Sequence, residues 1–318
     1  MRYPGQAGAR PARLSVMHPA PLLGQPHDPA SAFHDPWSAW ALPGIAPTLA
    51  SDGAGTIRWR PFRVEPRTGF GMCNPRLESG KRWDFPDEYG NDIDLPMTVT
   101  PIGPRAVRIQ MQIRPDAPRR PDPGILLAAP QRDAAWVGSD AGGQVVLRGP
   151  HGSVRISRDP WRIEVLDATG TAIWTTWTRE DARSVSLHDL HAIPTAAVRR
   201  EPDRAWHGSL AWRLAPGEAI VGGGEHMGAL DKRGQRLVWS TSDGHGTTNE
   251  RMYKPVPFLI SSRGYGILCN TTAAVAADLG RSNHEVASLQ FAEDRIDVIV
   301  FFGTPAEILD AYTAMSGR

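Results

Sequence analysis

The residues with most chemistry to offer lie in one stretch, VGGGEHMGALDKRGQRLVWSTSDGHGTTNERMYKPVPFLISSRGYGILCN, residues 221–270. Glu225 and His226 follow three consecutive glycines, Gly222, Gly223 and Gly224. Such a run frees the backbone for positive φ and close approach. Glu225 therefore reads in two ways: a carboxylate held toward a ligand or neighbouring domain, or an acceptor of backbone N–H groups in a tight turn. The run is not a dinucleotide signature, because Met227 stands where the third glycine is needed. Asp243 and His245 fall in STSDGHGTTNE, which is too polar and glycine-rich for a strand. That composition predicts a long loop between strands around Trp239 and Phe258. Asp243 either accepts ligand hydroxyls, two at a time, or simply opens an Asp-Gly turn. His226 and His245 both sit on glycine-rich loops, where they could approach each other.

The flat apolar ring of tryptophan matches the C–H face of a pyranose, and the chain has eleven. Trp161, Trp174, Trp212 and Trp239 sit in strand patterns, where a core position is the commoner fate. Trp239 is kept as a candidate because it leads into the loop of Asp243. His188, Asp189 and His191 have spacing that could begin a metal site, but no third ligand stands nearby. Neither a metal nor any other cofactor is expected.

Those side chains need a scaffold, and the sequence specifies one of many short strands. VRIQMQI alternates cleanly, placing Val107, Ile109, Met111 and Ile113 on one face and Arg108, Gln110 and Gln112 on the other. The same grammar recurs around Ile57, Val145, Val154, Ile163, Trp174, Trp212, Val238, Phe258, Ile267, Ala276, Leu289 and Ile299. RPDPG, DAGG, DATG, APGE and SSRG punctuate these runs as turns. The expectation is all-β, a large antiparallel β-sandwich followed by one C-terminal connecting helix. That helix is signalled by Thr304 as cap, Pro305 at its first position and Glu307 completing a capping box. Ile308, Leu309, Tyr312 and Met315 form its apolar stripe, and Gly317 its left-handed stop. Residues 1–52, rich in Pro, Gly, Ala and His, read as a flexible leader, 53–303 as the sandwich and 304–318 as the connector. Trp37 and Trp40 are aromatic exceptions within the leader, placed to dock onto the sandwich or onto another domain.

Thirty-five basic against 34 acidic residues leave no field to attract nucleic acid or an anionic membrane. Neither is expected as a partner. No run approaches the ~18 apolar residues of a membrane span, and the N-terminus has no signal-peptide core. Cys73 and Cys269, far apart, suit free buried thiols better than a disulfide framework. The chain reads as cytoplasmic.

The motifs carry a resemblance. GGGEHMGALDKRGQ is similar to the G-x-G-E loop of glycoside hydrolase family 31, WSTSDGHGTTNE to its Trp-led loop containing an aspartate, and YKPVPFLISSRGYGILCN to its Y-K-x-I-P-F strand and R-G-Y-G turn. FFGTPAEILDAYTAMSGR looks like the connector into that family's (β/α)8 barrel. The resemblance spans roughly residues 56–318 and is strongest over the last third. It implies a galactose mutarotase-like super-sandwich, the N-terminal part of a retaining α-glycosidase, nearest to bacterial α-xylosidase-like members. The catalytic aspartates would then lie in the barrel beyond Arg318, with none in this chain. Its partners would be that barrel, within the same polypeptide, and an α-linked oligosaccharide or glycoside. Asp243 would bond a hydroxyl of the sugar being cleaved, with Glu225, Trp239 and His245 as weaker substrate-side candidates. The family places its acid three residues after the Trp, where this chain has Ser242; Asp243 comes one later, as an inserted residue or bulge would arrange. Two alternatives are a free-standing carbohydrate-binding module and, ranked last, a mutarotase-like epimerase.

Overall fold

The computed structural model describes residues 28–34, 38–69, 72–79, 91–118, 123–178, 181, 192–200, 204–226, 228–241 and 253–318. Its strands are β1 Ala39–Leu49, β2 Ala54–Gly69, β3 Met72–Ser79, β4 Ile93–Gly103, β5 Ala106–Gln112, β6 Val137–Asp140, β7 Gln144–Gly149, β8 Gly152–Arg158, β9 Trp161–Asp167 and β10 Ala172–Thr175. They continue as β11 Ala196–Arg199, β12 Trp206–Arg213, β13 Ile220–Gly224, β14 Arg236–Trp239, β15 Pro255–Ser261, β16 Tyr265–Cys269, β17 Val275–Leu279, β18 Val286–Phe291 and β19 Arg295–Phe302. A short helix α1, Ser31–His34, precedes them and α2, Pro305–Ser316, follows.

All pairings are antiparallel, as the expected sandwich requires. One sheet of 14 strands runs β13-β15-β16-β19-β5-β4-β2-β1-β11-β12-β18-β17-β14, with β3 paired to β2. A second sheet of five runs β10-β9-β8-β7-β6. The inward faces of both feed one core: Val107, Ile109 and Met111 of β5 and Val298 and Val300 of β19 meet Val145, Leu147, Val154, Ile156 and Ile163 of the small sheet. Alternation in β5 therefore means what it promised, with Arg108, Gln110 and Gln112 on the outer face. Trp59, Trp161, Trp174 and Trp212 are all fully buried, fixed by the hydrophobic gain of removing large rings from water.

On the outer face α2 closes a second core of Phe258, Ile260, Leu268, Ile299, Phe301 and Ile308. Tyr312 stacks on Phe258 with ring centroids 4.0 Å apart. The capping box forms as expected: Thr304 accepts from the Glu307 backbone while the Glu307 carboxylate accepts from the Thr304 N–H. Two details differ. Leu309 is 46% exposed, because the covered stripe passes through Ile308, Ala311, Tyr312 and Met315. Gly317 has positive φ but extended ψ (110°, 149°), so it ends α2 without a left-handed helical turn.

Residues 39–49 depart from the expected leader, for they form β1, paired with β2 and β11. Pro43, Gly44 and Pro47 conceal the strand from local pattern, and the register shifts between Pro43 and Ile45 and again between Ile45 and Thr48. Trp40 docks onto the sandwich, buried edge-on against Phe33 at 5.4 Å. Trp37 lies outside the described residues. Asp28 pairs with Arg236 of β14, tying the segment before α1 to the far end of the sheet.

Candidate functional site

The glycine run forms the end of β13. Gly222, Gly223 and Gly224 all take positive φ (112°, 91° and 89°). A Cβ at Gly222 would come 2.5 Å from the Phe258 carbonyl, and one at Gly224 2.4 Å from that of Lys254. The run thus lets β13 lie against the start of β15 more closely than side chains permit.

Glu225 is thereby set beside Lys254. Its N–H donates to the Lys254 carbonyl at 3.3 Å, and Lys254 Nζ donates to Glu225 Oε1 at 3.1 Å. Both side chains are largely exposed. The carboxylate meets an ammonium group instead of the backbone N–H groups that a tight turn would supply. Lys254 was missed as a candidate; its signal was its rarity, as one of three lysines in the chain.

Trp239 is only 4% exposed, and its indole N–H donates to the Gly223 carbonyl at 3.0 Å. It offers no open face to a sugar, but it joins β14 to β13, the two ends of the 14-stranded path. Trp239 and the Glu225–Lys254 pair therefore secure the two ends of the intervening segment. Asp243 and His245 belong to residues 242–252, outside the described residues, as do His188, Asp189 and His191. Among the described residues no group of three or more His, Cys, Asp and Glu is placed to hold a metal.

His226 lies half-buried against this clasp, its Cδ2 3.4 Å from where a Cβ of residue 223 would stand. Its Nε2 is buried without a hydrogen-bond partner among the described residues. Burial first, and then the Lys232 ammonium, depress its pKa to about 4. The ring is a neutral imidazole at neutral pH. Leu230, Tyr253 and Val256, in the segments flanking the clasp, are exposed large apolar side chains.

Further from the clasp, the β15–β16 hairpin is rooted in a buried polar chain. Glu218 Oε1 accepts from Ser261 Oγ at 2.6 Å and from the Tyr265 hydroxyl at 2.5 Å, while Oε2 accepts from the Ala215 N–H at 2.8 Å. The Tyr265 oxygen in turn accepts from the Trp212 indole at 2.8 Å. Burial, together with the neighbouring Glu218 charge, holds the Tyr265 pKa well above its usual value. Cys269 is buried with its thiol likewise pushed up, by burial first and then by Asp297. Among the described residues no helix is long and apolar enough to cross a membrane.

Comparison with known proteins gives a consistent picture. The family model described as the glycosyl hydrolase 31 N-terminal galactose mutarotase-like domain matches residues 96–278. An α-xylosidase of Emericella nidulans is 35% identical over 107 residues, 33% of this chain and 14% of that protein. The α-xylosidase XylQ of Lactiplantibacillus pentosus is 35% identical over 101 residues, 31% of this chain and 13% of that protein. Among solved structures, a Flavobacterium johnsoniae GH31 dextranase complexed with isomaltotriose superposes with a TM-score of 0.61 at 14% identity, covering 87% of this chain and 28% of that one. A cycloalternan-forming enzyme of Listeria monocytogenes, complexed with a pentasaccharide substrate, gives 0.64 at 14% identity over 88% and 23%. The chain spans a minor part of the length of each.

Proposed function

This chain belongs to the glycosyl hydrolase 31 N-terminal galactose mutarotase-like domain family, and from that premise we propose that it is the sandwich part of a retaining α-glycosidase of the α-xylosidase or α-glucosidase type. A (β/α)8 barrel of the same polypeptide supplies the two carboxylates that act as nucleophile and acid/base. The sandwich contributes a packing face and the loop 242–252. Asp243 accepts hydroxyls of the sugar being cleaved, and a charge-assisted bond of this kind contributes about 1.5–3 kcal/mol. Glu225 sets the end of that loop through Lys254, Trp239 anchors its start, and His245 lines it. The substrate is an α-linked xyloside or glucoside, the enzyme needs no cofactor, and it works in the cytoplasm.

The observation that carries this reading is the clasp itself. Within the stretch that the family model matches, residues remote from the loop hold both of its ends: Trp239 on Gly223 and Glu225 on Lys254. Ends fixed by strand pairing and by the Glu225 N–H to Lys254 carbonyl bond, on either side of a polar, glycine-rich loop, suit presentation of a binding carboxylate. The test is turnover of p-nitrophenyl α-xyloside and α-glucoside by the barrel-containing protein and by residues 1–318. We expect activity from the former alone, and Asp243→Asn in it should lower kcat/KM about 10- to 100-fold. Turnover by residues 1–318, or an Asp243→Asn enzyme with unchanged kcat/KM, would overturn the assignment.

A further inference from the structure

On the outer face of β4, β5 and β19, a cleft of about 340 Å³ opens between these strands and residues Ala117 and Pro118. Its size falls within the ~300–1,000 Å³ typical of small-molecule sites. Thr98, Gln110, Gln112 and Arg295 line it, with Pro96 and Pro118 supplying apolar walls.

The orientation of both glutamine amides is settled by what surrounds them. Gln110 Nε2 donates to Asp297 Oδ2 at 3.0 Å, and a carboxylate only accepts. Asp297 is itself buried and held by the Arg108 guanidinium through two bonds of 2.9 and 2.6 Å, so its oxygens cannot turn away. Gln112 Nε2 donates to the Arg114 and Pro115 carbonyls at 2.6 and 3.1 Å. Gln112 thus has both amide N–H donors committed to the protein and Gln110 one of its two, and among the described residues the Oε1 acceptors of both are left over. Among the described residues, Gln110 Oε1 receives only a long contact from Thr98 Oγ1 at 3.5 Å. Arg295, which donates through Nη2 to the Pro118 carbonyl at 2.8 Å, contributes further N–H donors.

Fixed acceptors beside a donor and a hydroxyl describe a site for a neutral polyol. An anion would face two carbonyl oxygens, and a cation would face the guanidinium. The place also matters. Counting back along β15 from the Phe258↔Leu268 pair, and across β16 from Leu268↔Ile299, sets Pro255 level with Ile296 of the cleft. The cleft thus opens at the end of the sheet from which the loop of Asp243 departs, two strand spacings away from β15, or about 10 Å.

We propose that this cleft is a saccharide-binding site, in which Gln110, Gln112, Thr98 and Arg295 hold the hydroxyls of a neutral sugar unit outside the catalytic centre. That the polyol is a sugar rests on the glycosidase reading; the hydrogen-bonding pattern does not. The test is titration of residues 1–318 with maltose, with an α-1,6-linked xylosyl-glucose disaccharide and with glycerol, followed by the side-chain amide resonances of Gln110 and Gln112. Both resonances should shift saturably at millimolar disaccharide and much less with glycerol. Gln112→Met and Thr98→Val, both on the outer face, should each weaken binding at least tenfold while leaving the melting temperature within a few degrees. No saturable shift, shifts retained in both variants, or equal affinity for glycerol would each overturn the site. Turnover by the barrel-containing enzyme together with a silent cleft would sink this inference alone.

Discussion

His226 offers a quantitative test of the clasp. Its imidazole is half-buried against Gly223, and burial and Lys232 bring its pKa from 6.5 to about 4. The unfolded chain therefore binds a proton at this residue between pH 6.5 and 4, where the folded chain does not. The associated stability is fully present above pH 6.5 and is lost as pH falls toward 4. A shift of this size corresponds to about 3.4 kcal/mol at 1.36 kcal/mol per unit. Because the ring is partly in contact with solvent, screening reduces the expected figure to about 1–2 kcal/mol. The assay is urea unfolding at pH 7.0 and pH 4.5 for the native chain and for His226→Leu, which holds the other nine histidines constant. The native chain should lose about 1–2 kcal/mol more than the variant between the two conditions. A His226 Cε1–H titration should give a midpoint near 4. A midpoint above 6, or identical losses in the two proteins, would refute the placement of the ring.

Two further predictions concern the frame. Tyr265→Phe leaves Glu218 short of one donor and the Trp212 indole without its acceptor, and should cost about 1–3 kcal/mol in urea unfolding. Since the folded-state pKa of Tyr265 is raised, its contribution holds below about pH 10 and fades above it, as the unfolded tyrosine ionises; the variant should lack that share of the alkaline loss. Gly224→Ala places a Cβ at positive φ and 2.4 Å from the Lys254 carbonyl. It should lower stability by at least about 1–3 kcal/mol, with greater amide exchange in β13 and β15, and an unchanged exchange pattern there would contradict the close approach.

Much of this architecture was legible because sheet burial has a period of two. β5, β8 and β9 alternate with few interruptions, so Ile109, Val154 and Ile163 announce their faces. The cap of α2 was equally readable, since Thr304 and Glu307 act locally. β1 and β4 were harder to see, because prolines at 43, 47, 96 and 101 interrupt them and their partners are distant in sequence. β13 was hidden by its own glycines, which read as loop but are paired with β15. The clasp could be only half anticipated. Glu225 and Trp239 stood out by type, whereas the Lys254 and Gly223 atoms they engage are fixed by strand register. Leu309 shows the limit of helical periodicity: spacing marks a stripe, and the sheet beneath decides how wide it is.

The seam between β13 and β14 has a consequence for how such a protein can change. With the ends of the segment between β14 and β15 pinned from outside, its length becomes nearly independent of the sheets around it. Doubling a flexible connection costs only about 0.6 kcal/mol of closure entropy. One extra residue between Trp239 and Asp243 can therefore be absorbed without disturbing a single rung of the surrounding ladder, and new glycan preferences can be tried out on a foundation that does not move.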